Sequence, residues 1–225
     1  IGTDRRRQPE RIMKILAEID ADIVALQEVD RRFGERATTL SPDLLVDFTN
    51  YMPVRFGIRE QSLGWHGNVL LVKKGIEVRN PQRIELPAFE PRGAVMADVV
   101  IDGTAMRVVG MHLGLLGNSR MKQADAIVSH LEKLEQHMPT VIMGDLNQWA
   151  VDGKCLVAFA RHHDVIPLGP SFHSRRPMLQ LDRIITSRDF RLESAGVHRT
   201  ALARTGSDHL PVWASLSLQR AEAAA

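Results

Sequence analysis

Seven residues with side chains suited to acid–base or cation chemistry share one kind of position in this chain. Glu28, His112, Asp145, Asn147, Asp182, Asp208 and His209 stand at or beside the ends of short apolar runs. The densest stretch is Pro139 to Trp149, where Val141-Ile142-Met143 reads as a buried strand that stops at Gly144 and is followed by Asp145 and Asn147. On extended backbone, residues two apart point to one side, so the carboxylate and the amide would face one small volume at a strand end. Strand ends are where sites in layered α/β proteins tend to lie. Gly, Asp and Asn are equally the residues of an ordinary turn, and the stretch alone does not separate the two readings. Repetition does. Asp22 to Gln27 is an apolar run that delivers Glu28, Ala105 to His112 ends on a histidine, and Leu181 to Ser187 carries Asp182 near its start.

Oxygen ligands without a cysteine among them suit a hard cation, Mg²⁺ or Mn²⁺, which takes one or two carboxylates and leaves its other positions to water and phosphate. Histidines beside it would contact a phosphate or move protons. Water attacking a phosphodiester needs a cation on the developing charge, a group to orient the water and a partner for the leaving oxygen. The set supplies each. Taken singly, every member also has a plain structural reading: Glu28 as a loop cap, His112 as a packed histidine, Asp208-His209 ahead of Pro211 as a turn. Their joint placement is what points to chemistry.

The elements that must position these residues can be read in order. Pro9 to Asp20 has a proline suited to a first turn and Ile12, Ile15, Leu16 and Ile19 at helical spacing. Residues 31 to 64 read as polar loops with a short helix and a weak strand. Val69 to Val72 is a strong strand with Asn68 at its start. After a proline-rich passage (Pro81, Pro87, Pro91), Ala94 to Ile101 and Ala105 to His112 predict an antiparallel pair turning at Asp102-Gly103. Asn118 to Met138 predicts the longest helix, with Met121, Ala124, Ile127, Leu131, Leu134 and Met138 as its apolar stripe. Ala150 to Arg161 reads as a helix, Val212 to Leu218 as a closing strand and Ala221 to Ala225 as a frayed tail. Strands outnumber helices and hairpins mix with βα units, which predicts a two-sheet core with helices outside. Nothing resembles a linker, so residues 1–225 are expected to form one domain. A weak echo between Ile23 to Glu28 and Val141 to Asp145 suggests an internal duplication.

The 225 residues are 44% hydrophobic and 25% charged, an ordinary globular balance, and the formal net charge is only +2. Arg5-Arg6-Arg7, Arg31-Arg32 and Arg175-Arg176 are local basic clusters that could meet phosphates. The single cysteine, Cys155, excludes an intrachain disulfide and a thiolate metal cluster and favours a reducing, cytoplasmic compartment. No apolar run has the length of a membrane span. The sequence opens on Ile1-Gly2-Thr3 without an initiator methionine or a signal peptide.

Leu26-Gln27-Glu28-Val29, Gly67-Asn68-Val69-Leu70-Leu71, Gly144-Asp145-Leu146-Asn147, Leu181-Asp182-Arg183-Ile184 and Ser207-Asp208-His209-Leu210-Pro211-Val212 occur in the order of the endonuclease/exonuclease/phosphatase superfamily, which this chain resembles from about Arg11 to Leu216. The resemblance implies a four-layer α/β/β/α sandwich of two mixed sheets. It implies Mg²⁺ or Mn²⁺ at Glu28 with Asp208 on the metal side, Asp145 orienting and deprotonating water, and Asn147 bonded to the scissile phosphate. His209 would contact the phosphate or transfer a proton with Asp182 fixing its ring, and His112 would be a second phosphate-facing histidine with Glu90 as its carboxylate partner. Asn68, Arg92 and Arg183, inside or beside these motifs, are expected on the substrate side. Members of the superfamily also open with a strand ending in a metal-binding Asn. Ile1 to Arg7 cannot supply it, so that first strand is expected to be missing here.

Two differences narrow the group. Val29-Asp30 stands where abasic-site enzymes carry a lysine, and Gln180-Leu181 where the 5-phosphatases have Trp-Cys. The expected activity is phosphodiester hydrolysis, with DNA or RNA the favoured substrate through the basic clusters. A phospholipid headgroup or small phosphate ester is the alternative, although no apolar hairpin for a membrane is evident. An inactive binding relative is the non-enzyme alternative. Oligomeric state is not legible.

Overall fold

The computed structural model describes residues 2–31, 35–56, 61–87, 90–150 and 152–219. The expected tail, Ala221 to Ala225, and Arg32 of the second basic cluster lie outside the described residues.

The chain runs α1 (Pro9–Ile19), β1 (Ile23–Leu26), α2 (Pro42–Phe48), β2 (Tyr51–Pro53), β3 (Val69–Lys73), β4 (Glu77–Glu85), β5 (Gly93–Ile101) and β6 (Thr104–His112). It continues α3 (Gly117–Glu132), β7 (Thr140–Asp145), α4 (Lys154–Ala160), β8 (His163–Val165), β9 (Asp182–Ser187), β10 (Phe190–Val197), α5 (Ala201–Gly206) and β11 (Val212–Leu218). Local chemistry explains most boundaries. Pro9 opens α1, and Asp20 closes it in the left-handed region with its N–H on the Leu16 carbonyl. Ser41 caps α2, its Oγ accepting from Leu44 N at 3.4 Å. Asp102 and Gly103 both have positive φ, the backbone a two-residue hairpin turn requires.

Six strands form one sheet in the order β4-β5-β6-β7-β9-β8, in which β6 and β7 run parallel and the other neighbours antiparallel. One face packs on α3 and α4 through Met96, Val109, Met111, Ile127, Ile142 and Phe159. The other face meets a second layer in two antiparallel pieces, β1-β3-β2 and the β10-β11 hairpin. Val95, Ala97 and Val108 meet Leu70 and Val72 there, while Ile184 and Val141 lie beneath Phe190. Outside that layer α1 and α2 cover Val69 and Leu71, and Ile15 of α1 packs on Ala203 of α5. The layering is the expected α/β/β/α sandwich, with its mixed pairing confined to the larger sheet.

Three expectations change. Pro81 marked the 77–85 stretch as irregular, but it lies in edge strand β4 at a bulge between Arg79 and Gln82, where a missing N–H costs no ladder bond. Helix α3 ends at Glu132, six residues before Met138. Leu134 N tightens onto Leu131 O, and the residue before Pro139 is disfavoured in helical backbone, so the chain turns toward β7 there. β8, β10 and α5 were not anticipated.

Candidate active site

His112 ends β6, Asp145 ends β7 and Asp182 begins β9, and the three are register partners across neighbouring strands. Directly opposed residues share a face, with Cβ atoms about 5 Å apart. The row lies on the face toward the second layer, the side of Val108, Met143 and Ile184, at one open end between the sheets. All three side chains are buried. Gly144 makes the close pairing possible: its φ is +148, and a Cβ there would stand 1.9 Å from the Met111 carbonyl oxygen.

His209 reaches this row from the segment after α5. Ser174 N donates to Asp208 O at 2.7 Å and Leu210 N to Ser171 O at 2.8 Å, which stitches that segment to residues 171–174. The His209 ring rests 4.9 Å from the Phe172 ring. Its Nδ1 is 2.8 Å from Asp182 Oδ2, and its Nε2 faces Asp145 Oδ2 at 3.9 Å. Ser171 Oγ also donates to Asp182 Oδ2. On the other side of Asp145, His112 Nε2 lies 3.4 Å from the same Oδ2. Arg92 Nη1 stands against the His112 ring, 2.6 Å from Nε2 and 2.8 Å from Nδ1.

Burial pushes the Asp145 carboxyl up to about 6, helped by the neighbouring Asp182 charge and opposed by His209, the Asn147 N–H and Arg92. For His209 burial works against the charged ring. The Asp182 hydrogen bond, with the Asp182, Asp145 and Asp208 charges, outweighs it and raises the ring to about 9. At neutral pH the centre therefore holds an anionic Asp145 facing a cationic His209.

Asn147 joins Asp145 by a turn and not by strand alternation. Its φ is +50, its backbone N donates to Asp145 Oδ1 at 2.7 Å, and its Nδ2 donates to Leu113 O at 2.9 Å. The turn reading and the site reading of this stretch are thus one arrangement. Glu28 is exposed two residues beyond β1, with φ +58. Val29 N donates to Gly67 O, and a Cβ on Gly67 would come within 3.2 Å of Glu28 Cα. Asp208 is exposed, with Ser207 Oγ 3.3 Å from its Oδ1. Among the described residues, no group of three or more His, Cys, Asp and Glu side chains converges as a cation cage.

Three sequence expectations are corrected. Asn68 is 1% exposed and donates Nδ2 to Trp65 O and Gly93 O, so it ties the start of β3 to the start of β5 and does not face substrate. Arg183 is 2% exposed and spans the carbonyls of Gln180, Asp182 and Gln148, because its place in β9 points it to the opposite face from Asp182. Glu90 Oε2 is 3.3 Å from Arg92 Nε, and it is the Arg92 guanidinium that lies on His112. Arg92 itself does stand at the site.

Sequence reasoning missed Ser171 and Phe172, which carry no motif of their own. It also missed Arg120, buried on α3, which donates to the carbonyls of Gly114 and Leu115 and to Gln148 Oε1. Gln123, three residues on, accepts from Gly114 N at 2.8 Å. Two long polar side chains interrupting the apolar stripe of α3 were the available signal.

The layering places this chain among the α/β/β/α sandwiches, with its Asp–His centre at strand ends between the two sheet layers. The family model described as "Endonuclease/Exonuclease/phosphatase family" matches residues 2–209, and the chain belongs to that family. It is 28% identical over 168 residues to "Uncharacterized protein YbhP" of Escherichia coli (strain K12), a match spanning 69% of this chain and 64% of that protein. The human Nocturnin catalytic domain with bound sulfate anion shares the fold at a TM-score of 0.74 and 20% identity, over 94% of this chain and 86% of that one. A mannosyl-6-phosphatase of Bacteroides thetaiotaomicron VPI-5482 does so at 0.73 and 15%, over 94% and 91%.

Proposed function

We propose that the protein hydrolyses phosphodiester bonds with the aid of a divalent cation. The observation that carries this reading is the oppositely charged pair of buried Asp145 and half-buried His209, each held by a separate partner.

Asp145 is ionised at neutral pH yet basic enough to accept a proton, so it orients the attacking water and takes its proton. Cationic His209, kept in orientation by Asp182, sits where it stabilises charge developing on the phosphate oxygens. Asn147 uses one amide hydrogen on Leu113 O and has a second for a phosphate oxygen. His112 accepts a hydrogen bond from Arg92 and bounds the other side of Asp145, offering a second cationic contact to the anion through that guanidinium.

The residues fit a hard cation. Glu28 offers an exposed carboxylate at a strand end, and Asp208 a second. A cation of this type needs only one or two protein carboxylates, with water and phosphate completing its shell. When bound, Mg²⁺ or Mn²⁺ supplies Lewis-acid stabilisation of the phosphoryl charge.

The basic clusters would meet the phosphates of nucleic acid or of an anionic lipid alike. A phospholipid headgroup or a small ester offers the same bond. Hydrolysis of bis-p-nitrophenyl phosphate should require Mg²⁺ or Mn²⁺, stop with EDTA and vanish in Asp145→Ala. Full turnover in that variant would overturn the assignment.

A further inference from the structure

Three loops leave the open end of the six-stranded sheet that carries His112, Asp145 and Asp182, and each holds large apolar side chains in water. Leu115 and Leu116 follow β6, Trp149 follows β7 and Met178 precedes β9, at 61%, 65%, 65% and 71% exposure. Two buried arginines clamp these loops side by side. Arg120 donates to Leu115 O and to the side chain of Gln148, the neighbour of Trp149. Arg183 donates to the carbonyls of Gln148 and of Gln180, two residues from Met178. Single exposed apolar side chains need no explanation. Four of them on loops fixed to one another around a site make a surface.

The flank of this rim is basic. Arg175 and Arg176 are exposed in the loop that carries Met178, and Arg175 Nη2 donates to Thr3 O at 2.7 Å. That bond brings the exposed Arg5, Arg6 and Arg7 to the same flank. Elsewhere, exposed Leu44 and Phe48 on α2 alternate with Asp43 and Asp47, a combination that an anionic surface would repel.

We infer that this rim seats the protein on an anionic phospholipid surface. Leu115, Leu116, Trp149 and Met178 enter the boundary between headgroups and acyl chains, and the arginine flank meets lipid phosphates. Tryptophan is favoured at that depth. A lipid interface rewards the aliphatic and the cationic parts of the rim together. Single-stranded nucleic acid is met chiefly by aromatic faces, and of the four rim side chains only Trp149 has one. Seated in this way, the cleft opens onto headgroup phosphodiesters, a step that rests on the hydrolase reading above. The binding itself does not.

The test is sedimentation and tryptophan emission with vesicles of phosphatidylcholine, alone or with about one-third phosphatidylglycerol. Binding should require the anionic lipid and shift Trp149 emission to the blue; Trp149→Phe should remove the shift, since Trp65 is half-buried against Gly93 and Trp213 is half-buried against Gly196. Leu115→Ser/Leu116→Ser/Met178→Ser should weaken vesicle affinity about tenfold or more, and Arg175→Glu/Arg176→Glu should lower it by a similar factor. The triple variant should keep turnover of bis-p-nitrophenyl phosphate, which also shows that it folds, and the arginine variant should keep the wild-type far-UV spectrum and melting temperature. Asp145→Ala should still bind vesicles, so loss of hydrolysis and loss of docking are read separately. No binding to anionic vesicles, or unchanged binding in the triple variant, overturns the inference. So does a triple variant that loses affinity for a single-stranded oligonucleotide but not for vesicles.

Discussion

Nδ1 of His209 lies 2.8 Å from Oδ2 of Asp182, and the bond joins residues 27 positions apart in the chain. It fixes which ring nitrogen faces Asp145 and supplies much of the attraction that keeps the ring cationic. Asp182→Asn keeps the shape but removes the charge. We expect kcat/KM to fall about 10²- to 10⁴-fold with little change in the far-UV spectrum. The His209 titration, followed by NMR, should move down from about 9. A variant with unchanged kcat/KM and an unmoved His209 would remove Asp182 from the mechanism.

The working pair predicts a bell-shaped pH–rate profile. The base must be ionised, so rate is lost as pH falls through about 6, where Asp145 protonates. It is lost again as pH rises through about 9, where His209 loses its charge. A flat kcat/KM between pH 5 and about 10 would contradict both assignments.

Stability follows a different course. Asp145 titrates higher when folded than its ordinary 3.8, so the stability linked to it is fully present below that value and is lost as pH rises through about 6. His209 is also raised, from 6.5 to about 9, so its contribution is complete below 6.5 and is lost as pH rises through about 9. A neutral isostere at Asp145 escapes the first loss. Asp145→Asn should therefore be inactive yet more stable at pH 7 by about 1–2 kcal/mol, measured by urea unfolding. A less stable Asp145→Asn would show that the buried charge is not a liability.

Gly144→Ala places a Cβ 1.9 Å from Met111 O and forces a φ of +148 on a residue that avoids it. The β6–β7 pairing that sets His112 beside Asp145 must then open. We expect a loss of about 3 kcal/mol or more, or insoluble protein, and loss of turnover in whatever folds. Wild-type melting temperature in the variant would refute the close approach.

Arg183 separates a structural role from a substrate contact. Arg183→Ala strands the Gln180 and Gln148 carbonyls and leaves a void, which should cost about 2–4 kcal/mol. KM should hold at temperatures where the variant stays folded. A raised KM without a stability loss would restore Arg183 to the substrate side.

Sequence alone determined the elements with strong local signals. The apolar runs of β5 and β6, the Asp102-Gly103 turn, the run ending at Asp145 and the Pro9 start of α1 are written in residue type and spacing, because turn geometry and local apolar runs act over a few residues. The chemical inventory of the candidate site was legible for the same reason: His112 and Asp145 end strands, Asp182 begins one, and Asn147 and His209 stand just outside them. Edge strand β4 was hidden by a proline that only a bulge accommodates. Hairpin strand β10 and the one-turn cap at α5 have weak periodicity and take their form from the layers they cover.

Tertiary structure decided who meets whom. Asn68 and Arg183 sit in matching motifs, yet the pleat turns Arg183 away from Asp182 and packing closes over Asn68. Parallel pairing of β6 with β7 and antiparallel pairing of β7 with β9 set His112, Asp145 and Asp182 in one row, from positions up to 70 residues apart. The raised pKa of Asp145 and the exposure of Leu115, Leu116, Trp149 and Met178 on one rim exist only once distant segments are packed together. Burial and cross-strand neighbours are properties of the assembled layers, and no local window of residues contains them.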